Sequence, residues 1–195
     1  IIERLLRHEP LQYIVGEARF FGLNLHVTPA VLIPRPETEE LVDWVSHEAE
    51  QHKGHTHLRI LDIGTGSGCI ALALAQRFPD ADVTAWDISH EALSISRDNA
   101  SRLGLQVHFQ HHDALQEVGT DADTPKFDII VSNPPYICDT EREEMKKLLA
   151  SLERENKGLR YRIFGAIQRG GIDGFREIGK MQGMKAYEEE ETNEE

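Results

Sequence analysis

Leu58-Arg59-Ile60-Leu61-Asp62-Ile63-Gly64-Thr65-Gly66-Ser67-Gly68 decides the fold. An apolar run of strand length ends in a turn with glycine at every second position. The residues that follow, 69–78, carry the alanine and leucine spacing of a helix. Such a strand–glycine turn–helix unit is the opening of a parallel sheet, because parallel strands need a helical crossover to return. The pattern then repeats. Residues 83–86 read as a strand, 90–103 as a helix, and 107–110 and 127–131 as further strands. Right-handed crossovers would place helices on both faces of one sheet, so the expected fold class is α/β and Rossmann-like.

The turn itself has chemistry. Glycines permit close backbone approach, and the following helix N-terminus presents free N–H groups and positive potential. The spacing Gly64-x-Gly66-x-Gly68 lacks the third, later glycine of dinucleotide sites. It suits a ligand without phosphates, its amino-acid end lying against Gly64, Thr65, Gly66, Ser67 and Gly68. Asp87 closes the next strand 23 residues after Gly64, near the offset at which a carboxylate accepts hydrogen bonds from ribose hydroxyls. A helix cap is its competing role. S-adenosylmethionine meets these requirements. Asp113, just past the third strand, reads equally as an adenine contact or as a simple Asx-turn.

Asn133-Pro134-Pro135-Tyr136 follows the apolar run 127–131. Ligands of open α/β sheets bind beyond the carboxyl ends of their strands, where this tetrapeptide falls. Two prolines stiffen the exit and cannot extend a ladder, which frees the Pro134 carbonyl to face a cleft beside the Asn133 amide. Together they offer two acceptors to a planar NH2 group that Tyr136 could cover.

Upstream, residues 1–7 read as the end of a short helix and 20–27 alternate about Gly22 as a hairpin. Pro34, Arg35 and Pro36 precede a helix with acids in its first turn and apolar residues at 41, 42 and 45. Residues 48–57 read as a polar linker. The expected organisation is a lead-in segment 1–55, a main domain 56–187 and an acidic tail 188–195. After Tyr136 the pattern weakens; 140–156 reads as a charged helix and 161–164 as a short strand.

Asp62–Gly68, Asp87, Asp113 and Asn133–Tyr136, in this order, resemble class I S-adenosylmethionine-dependent methyltransferases that act on planar nitrogens. Pro10-Leu11-Gln12-Tyr13-Ile14-Val15-Gly16, Phe20-x-Gly22 and Leu32-Ile33-Pro34-Arg35-Pro36-Glu37-Thr38-Glu39 narrow this further. They resemble the HemK-type family of peptide-chain-release-factor glutamine methyltransferases, from about residue 9 to 138. The resemblance implies methylation of the glutamine side-chain amide in a release factor's Gly-Gly-Gln loop. Asn133 and Pro134 would hold its two N–H groups, while Pro135, Tyr136 and the turn containing Arg35 and Glu37 would wall the pocket. Arg35 and Glu37 pairing with each other, or capping a helix, is the competing reading of those two. The family also has a helical N-terminal domain, so the chain is expected to enter at the linker after it. Gly170-Gly171-Ile172-Asp173-Gly174-Phe175 resembles either a mid-region stretch of the family or part of its late strand.

Composition sets the alternatives. The net charge is −13, of which six charges are the glutamates at 188–191, 194 and 195. The remaining −7 opposes stable binding to a phosphate backbone. A DNA or RNA base amino-methyltransferase is the runner-up, and it calls for a basic groove and stacking aromatics, whereas aromatics are 7% here. An inactive cofactor-binding module is the third reading. Two cysteines, no signal peptide and no apolar run near eighteen residues point to a cytoplasmic setting without membrane contact. His47, His52, His55 and His57 lack ligand spacing, and no metal is expected. A monomer is the default, and Trp44 and Trp86 read as core residues.

Overall fold

The computed structural model describes residues 2–51, 57–114, 127–133 and 161–164. The chain opens with two short helices, α1 (Ile2–Leu6) and α2 (Leu11–Val15), and a hairpin of β1 (Glu17–Phe20) and β2 (Leu23–His26). The long helix α3 (Pro36–Gln51) follows. Then β3 (Arg59–Ile63), α4 (Cys69–Arg77), β4 (Asp82–Asp87), α5 (His90–Leu103), β5 (His108–His111) and β6 (Ile129–Ser132) alternate, and β7 (Tyr161–Phe164) closes the series.

The five later strands form one sheet in the order β5-β4-β3-β6-β7, and every pair is parallel. The chain therefore starts in the middle at β3, builds outward to β5, then crosses to the other side at β6. The switch point lies between β3 and β6, where Ile63 pairs with Ser132. In open parallel sheets a crevice for ligands opens at such a switch point, and the β3 turn and Asn133 both lie there. β3 and β6 are buried on both faces, as central parallel strands are. The Tyr161–Phe164 strand seen in the sequence extends the sheet beyond β6.

The core joins the lead-in segment to the sheet. Phe20, Leu23 and Leu25 of the hairpin and Leu41, Val42, Val45 and Ala49 of α3 share one cluster with Ile60, Leu72, Val83, Ile129 and Val131. A smaller cluster packs Ala18, Val27 and Val31 on Ala92 and Ile95 of α5. α3 continues to Gln51, into the first residues of the stretch expected to be a linker, where Ala49 is buried and Glu50 pairs with Arg77 at 2.7 Å. Residues 52–56, the histidines at 52 and 55 among them, lie outside the described residues. His57 meets Asp82 at 2.7 Å.

Phe21 and Gly22 form the hairpin turn with φ of 48° and 79°. Positive φ at both central positions is the type I′ turn whose twist matches paired strands, although a bulky residue there is uncommon. The Phe21 N–H donates to Glu39 Oε1 at 2.7 Å, which ties the tip to α3. Trp86 is buried, donates to Gln110 Oε1 at 3.0 Å and meets the Phe127 ring edge-on, as expected of a core residue. Trp44 departs from that expectation: it is 36% exposed. Among the described residues no helix is long and apolar enough to cross a membrane.

Candidate active site at the sheet switch point

The glycine turn leaves β3 at the switch point. Gly64, Gly66 and Gly68 have φ of 75°, 55° and 83°, a region that L side chains adopt with strain. The turn is pinned to its neighbour, since the Gly64 and Thr65 N–H groups both donate to the Trp86 carbonyl. A Cβ at Gly64 or Gly66 would meet nothing within 4 Å, so this face is open. Gly68 differs: a Cβ there would lie 3.1 Å from Leu72 and Ser96, so its role is close packing under α4. The first N–H groups of α4 have no intrahelical acceptor and point toward the turn. Thr65 and Ser67, by contrast, are buried with their side chains. Of those two, only the backbone can serve a ligand.

Asp87 ends β4 beside the turn. Its Oδ2 accepts the Gly66 N–H at 2.8 Å and its Oδ1 accepts the Ser89 N–H at 2.9 Å. The cap of α5 is Ser89, which accepts from the Ala92 N–H, so Asp87 is not the helix cap. A carboxylate has about four lone-pair sites, and two stay available for hydroxyls. Asp113 follows β5, and the His112 N–H bonds the Asp87 carbonyl at 3.1 Å, so both acids lie at one edge of the crevice.

Asn133 follows β6 directly, next to the glycine turn across the switch point. Its Nδ2 donates to Thr38 Oγ1 at 2.8 Å, and Thr38 is buried in the first turn of α3. The structure thus brings the 32–39 string to Asn133, the first residue of the tetrapeptide. The residue that makes this contact is Thr38; Arg35 and Glu37 expose their side chains, and the Arg35 carbonyl accepts the Thr38 N–H at 3.0 Å. Pro134, Pro135 and Tyr136 lie outside the described residues, as does the 170–175 stretch.

Three polar residues of the site were not singled out in the sequence. Asp62 sits in mid-strand, 1% exposed, with Oδ2 accepting the Thr65 hydroxyl at 2.6 Å. Its Oδ1 is buried without a hydrogen-bond partner. Burial pushes this carboxyl up to about 7, with the Thr65 hydroxyl and the Ala71 N–H opposing and the nearby Asp87 charge adding to the rise. Asn99 is fully buried on α5 and clamps three backbone groups: it accepts the His26 N–H and donates to the carbonyls of His26 and Ser67. It joins the hairpin to the glycine turn. Tyr13 donates its hydroxyl to the Val31 carbonyl at 2.7 Å and steadies the segment leading to Thr38. A polar residue on the apolar stripe of α5 was the available signal for Asn99, since Ala92, Ile95, Ser96, Asn99 and Ala100 share the core face. Burial also pushes the Cys69 thiol up to about 12, so it remains neutral.

An open glycine cradle with a carboxylate at its edge, an orphaned buried oxygen beneath it and an amide across the crevice fits an aminoacyl-nucleoside ligand. The comparisons agree with this geometry. The family model of the methyltransferase small domain matches residues 44–155, more than half of the chain. The release factor glutamine methyltransferase of Bacteroides thetaiotaomicron is 50% identical over 155 residues, covering 80% of this chain and 53% of that protein. The same-named protein of Streptococcus pneumoniae is 50% identical over 145 residues, covering 74% and 49%. The chain spans about half the length of these relatives. Among solved structures, the human methyltransferase 10 domain containing protein superposes with a TM-score of 0.60 at 21% identity, covering 80% of this chain and 77% of that one, a likeness of fold. The sheet order, the open glycine turn and the class I methyltransferase-like α/β fold are accounted for together: the chain belongs to the methyltransferase small domain family.

Proposed function

We propose that this chain methylates the side-chain amide nitrogen of the glutamine in the Gly-Gly-Gln loop of a peptide chain release factor, with S-adenosylmethionine as donor. The observation that carries the reading is Asn133, set beside the open glycine turn with its NH2 end already engaged by Thr38. The choice of acceptor follows the half-identity to release factor glutamine methyltransferases.

The turn 64–68 and the start of α4 would hold the aminoacyl end of the donor. Asp87 would accept from ribose hydroxyls, Asp113 would meet the adenine, and Asp62 Oδ1 would face the cationic amino group. When bound, the donor supplies a methyl group on a positively charged sulfur. A nitrogen–carbon bond forms as the sulfur–carbon bond breaks, and one amide proton leaves to solvent. The glutamine nitrogen is a weak nucleophile because its lone pair is delocalised into the carbonyl. Asn133 Oδ1 and the Pro134 carbonyl would each accept one of its N–H groups and aim the nitrogen. Pro135, Tyr136, Arg35 and Glu37 would border the pocket. Catalysis then comes from positioning and fixed dipoles rather than from a strong base.

The protein partner is the release factor; nucleic acid is not a substrate in this reading. Labelled donor offered with release factor in one reaction and duplex DNA in another provides the test. Label in the release factor alone is expected. Label in the DNA alone, or no donor binding by calorimetry, overturns the reading. Asn133→Ala should reduce transfer far more than donor affinity.

A further inference from the structure

We propose that Thr38 is a positioning residue for the transfer, acting through Asn133; this rests on the role given to Asn133 above. An asparagine amide turns about a terminal sp³–sp² bond whose wells are broad and roughly two-fold, so its oxygen and nitrogen ends exchange places easily. Only one orientation is useful. With Oδ1 toward the crevice, Asn133 accepts from a substrate NH2 group; with Nδ2 there, two donors confront each other.

The amide is anchored 95 residues upstream. Thr38 Oγ1 accepts the Nδ2 proton at 2.8 Å, which anchors the amide with Oδ1 as its other end. A hydroxyl can also donate, so the substrate NH2 group, which needs an acceptor, completes the selection of this orientation. The anchor is rigid. Thr38 is 3% exposed, its N–H is bonded to the Arg35 carbonyl, and Pro36 begins the same helix turn. Thr65 and Ser132, two further buried hydroxyls at the switch point, are committed elsewhere: Thr65 to Asp62 Oδ2 and Ser132 to the Ile63 carbonyl. The next residue, Glu39, holds the Phe21 N–H at the hairpin tip. Two consecutive side chains of α3 therefore join the hairpin on one side to the acceptor amide on the other.

Thr38→Val keeps the shape and removes the acceptor, while Thr38→Ser restores it. With release factor as substrate, Thr38→Val should lower kcat about tenfold, the scale of one lost hydrogen bond in a positioning contact. Donor affinity by calorimetry should stay near that of the parent, the thermal midpoint should fall only by the few degrees of one lost hydrogen bond, and Thr38→Ser should recover most of the rate. In an Asn133→Ala background Thr38→Val should cost nothing further. A Thr38→Val variant with parental kcat, or a loss that adds fully to that of Asn133→Ala, overturns the proposal. Thr38→Ala serves the same cycle should the valine variant melt early. A parent that leaves the release factor unlabelled defeats the functional reading alone. The anchor is then judged by NMR: slow exchange of the Asn133 side-chain NH2 protons should be lost in Thr38→Val, and equal exchange in both refutes it.

Discussion

Replacing Asp62 with asparagine should make the protein more stable above neutral pH, although the change touches the cofactor cradle. The carboxyl is 1% exposed and keeps one oxygen without a partner, so its ionised form lacks the hydration it has in the unfolded chain. Its folded-state value is raised from 3.8 to about 7. In the interval between these values the folded protein retains a proton that the unfolded chain has released. Stability therefore falls as pH rises through that interval and levels off above it, with the contribution fully present only below the unfolded value. A shift of about three units at 1.36 kcal/mol each gives a total of about 4 kcal/mol, of which about 3 falls between pH 4.5 and pH 8. Asparagine is neutral throughout and still accepts from the Thr65 hydroxyl. Its NH2 group, placed where Oδ1 lacked a partner, costs about 1–3 kcal/mol at every pH. Urea unfolding of both proteins at a series of pH values, followed by tryptophan fluorescence, reads the difference directly. Titrating groups not coupled to Asp62 move both proteins alike and cancel, which leaves Asp62 and its weaker coupling to Asp87 in the difference. Asp62→Asn should be the weaker protein at the acid end and the stronger at the alkaline end. A difference that stays constant within about 0.5 kcal/mol across the series would refute the assignment of a neutral buried Asp62.

The remaining predictions concern the scaffold. Asn99→Ala strands one donor and two acceptors in the interior, and should cost about 3 kcal/mol or more in denaturant unfolding, with faster amide exchange at His26. Gly66→Ala meets no neighbour but sits at a φ of 55°, so it should lose only about 1–2 kcal/mol of stability. Its methyl group would occupy the open face, and calorimetry should show donor affinity falling by a larger factor than the melt implies. Glu39→Ala frees the Phe21 N–H at a left-handed turn and should cost about 1 kcal/mol, restored in part by Glu39→Gln.

Much of this could be read from the chain because its local signals agree with its fold. Alternating apolar strands and helices, with a glycine turn after the first, dictate a parallel sheet, and the sheet order then dictates where its crevice opens. Element ends shifted by a residue or two, as with β5, which begins at His108 rather than at 107. The end of α3 was hidden because its polar last turns bury one alanine and pair one glutamate, which composition alone reads as a linker. The hairpin carried no Asn-Gly or Asp-Gly signature; Phe21 is held in its left-handed conformation by a glutamate eighteen residues away. Two contacts of the site are equally remote in sequence. Thr38 meets Asn133 at a separation of 95 residues and Asn99 meets His26 at 73, and no periodicity of 2 or 3.6 residues reports on such pairs. Locally, Asp62 in a buried strand and Asn99 on an apolar helix face break the pattern around them. A sequence that breaks its own pattern in this way pays elsewhere unless the group is used. Asn99 is used by the fold, since all its contacts are backbone groups that would otherwise be stranded. Asp62 Oδ1 has no such partner within the described chain, and that difference is why this carboxyl, neutral before the donor binds, and not the buried amide, is set against the donor's cationic amino group in the proposed function.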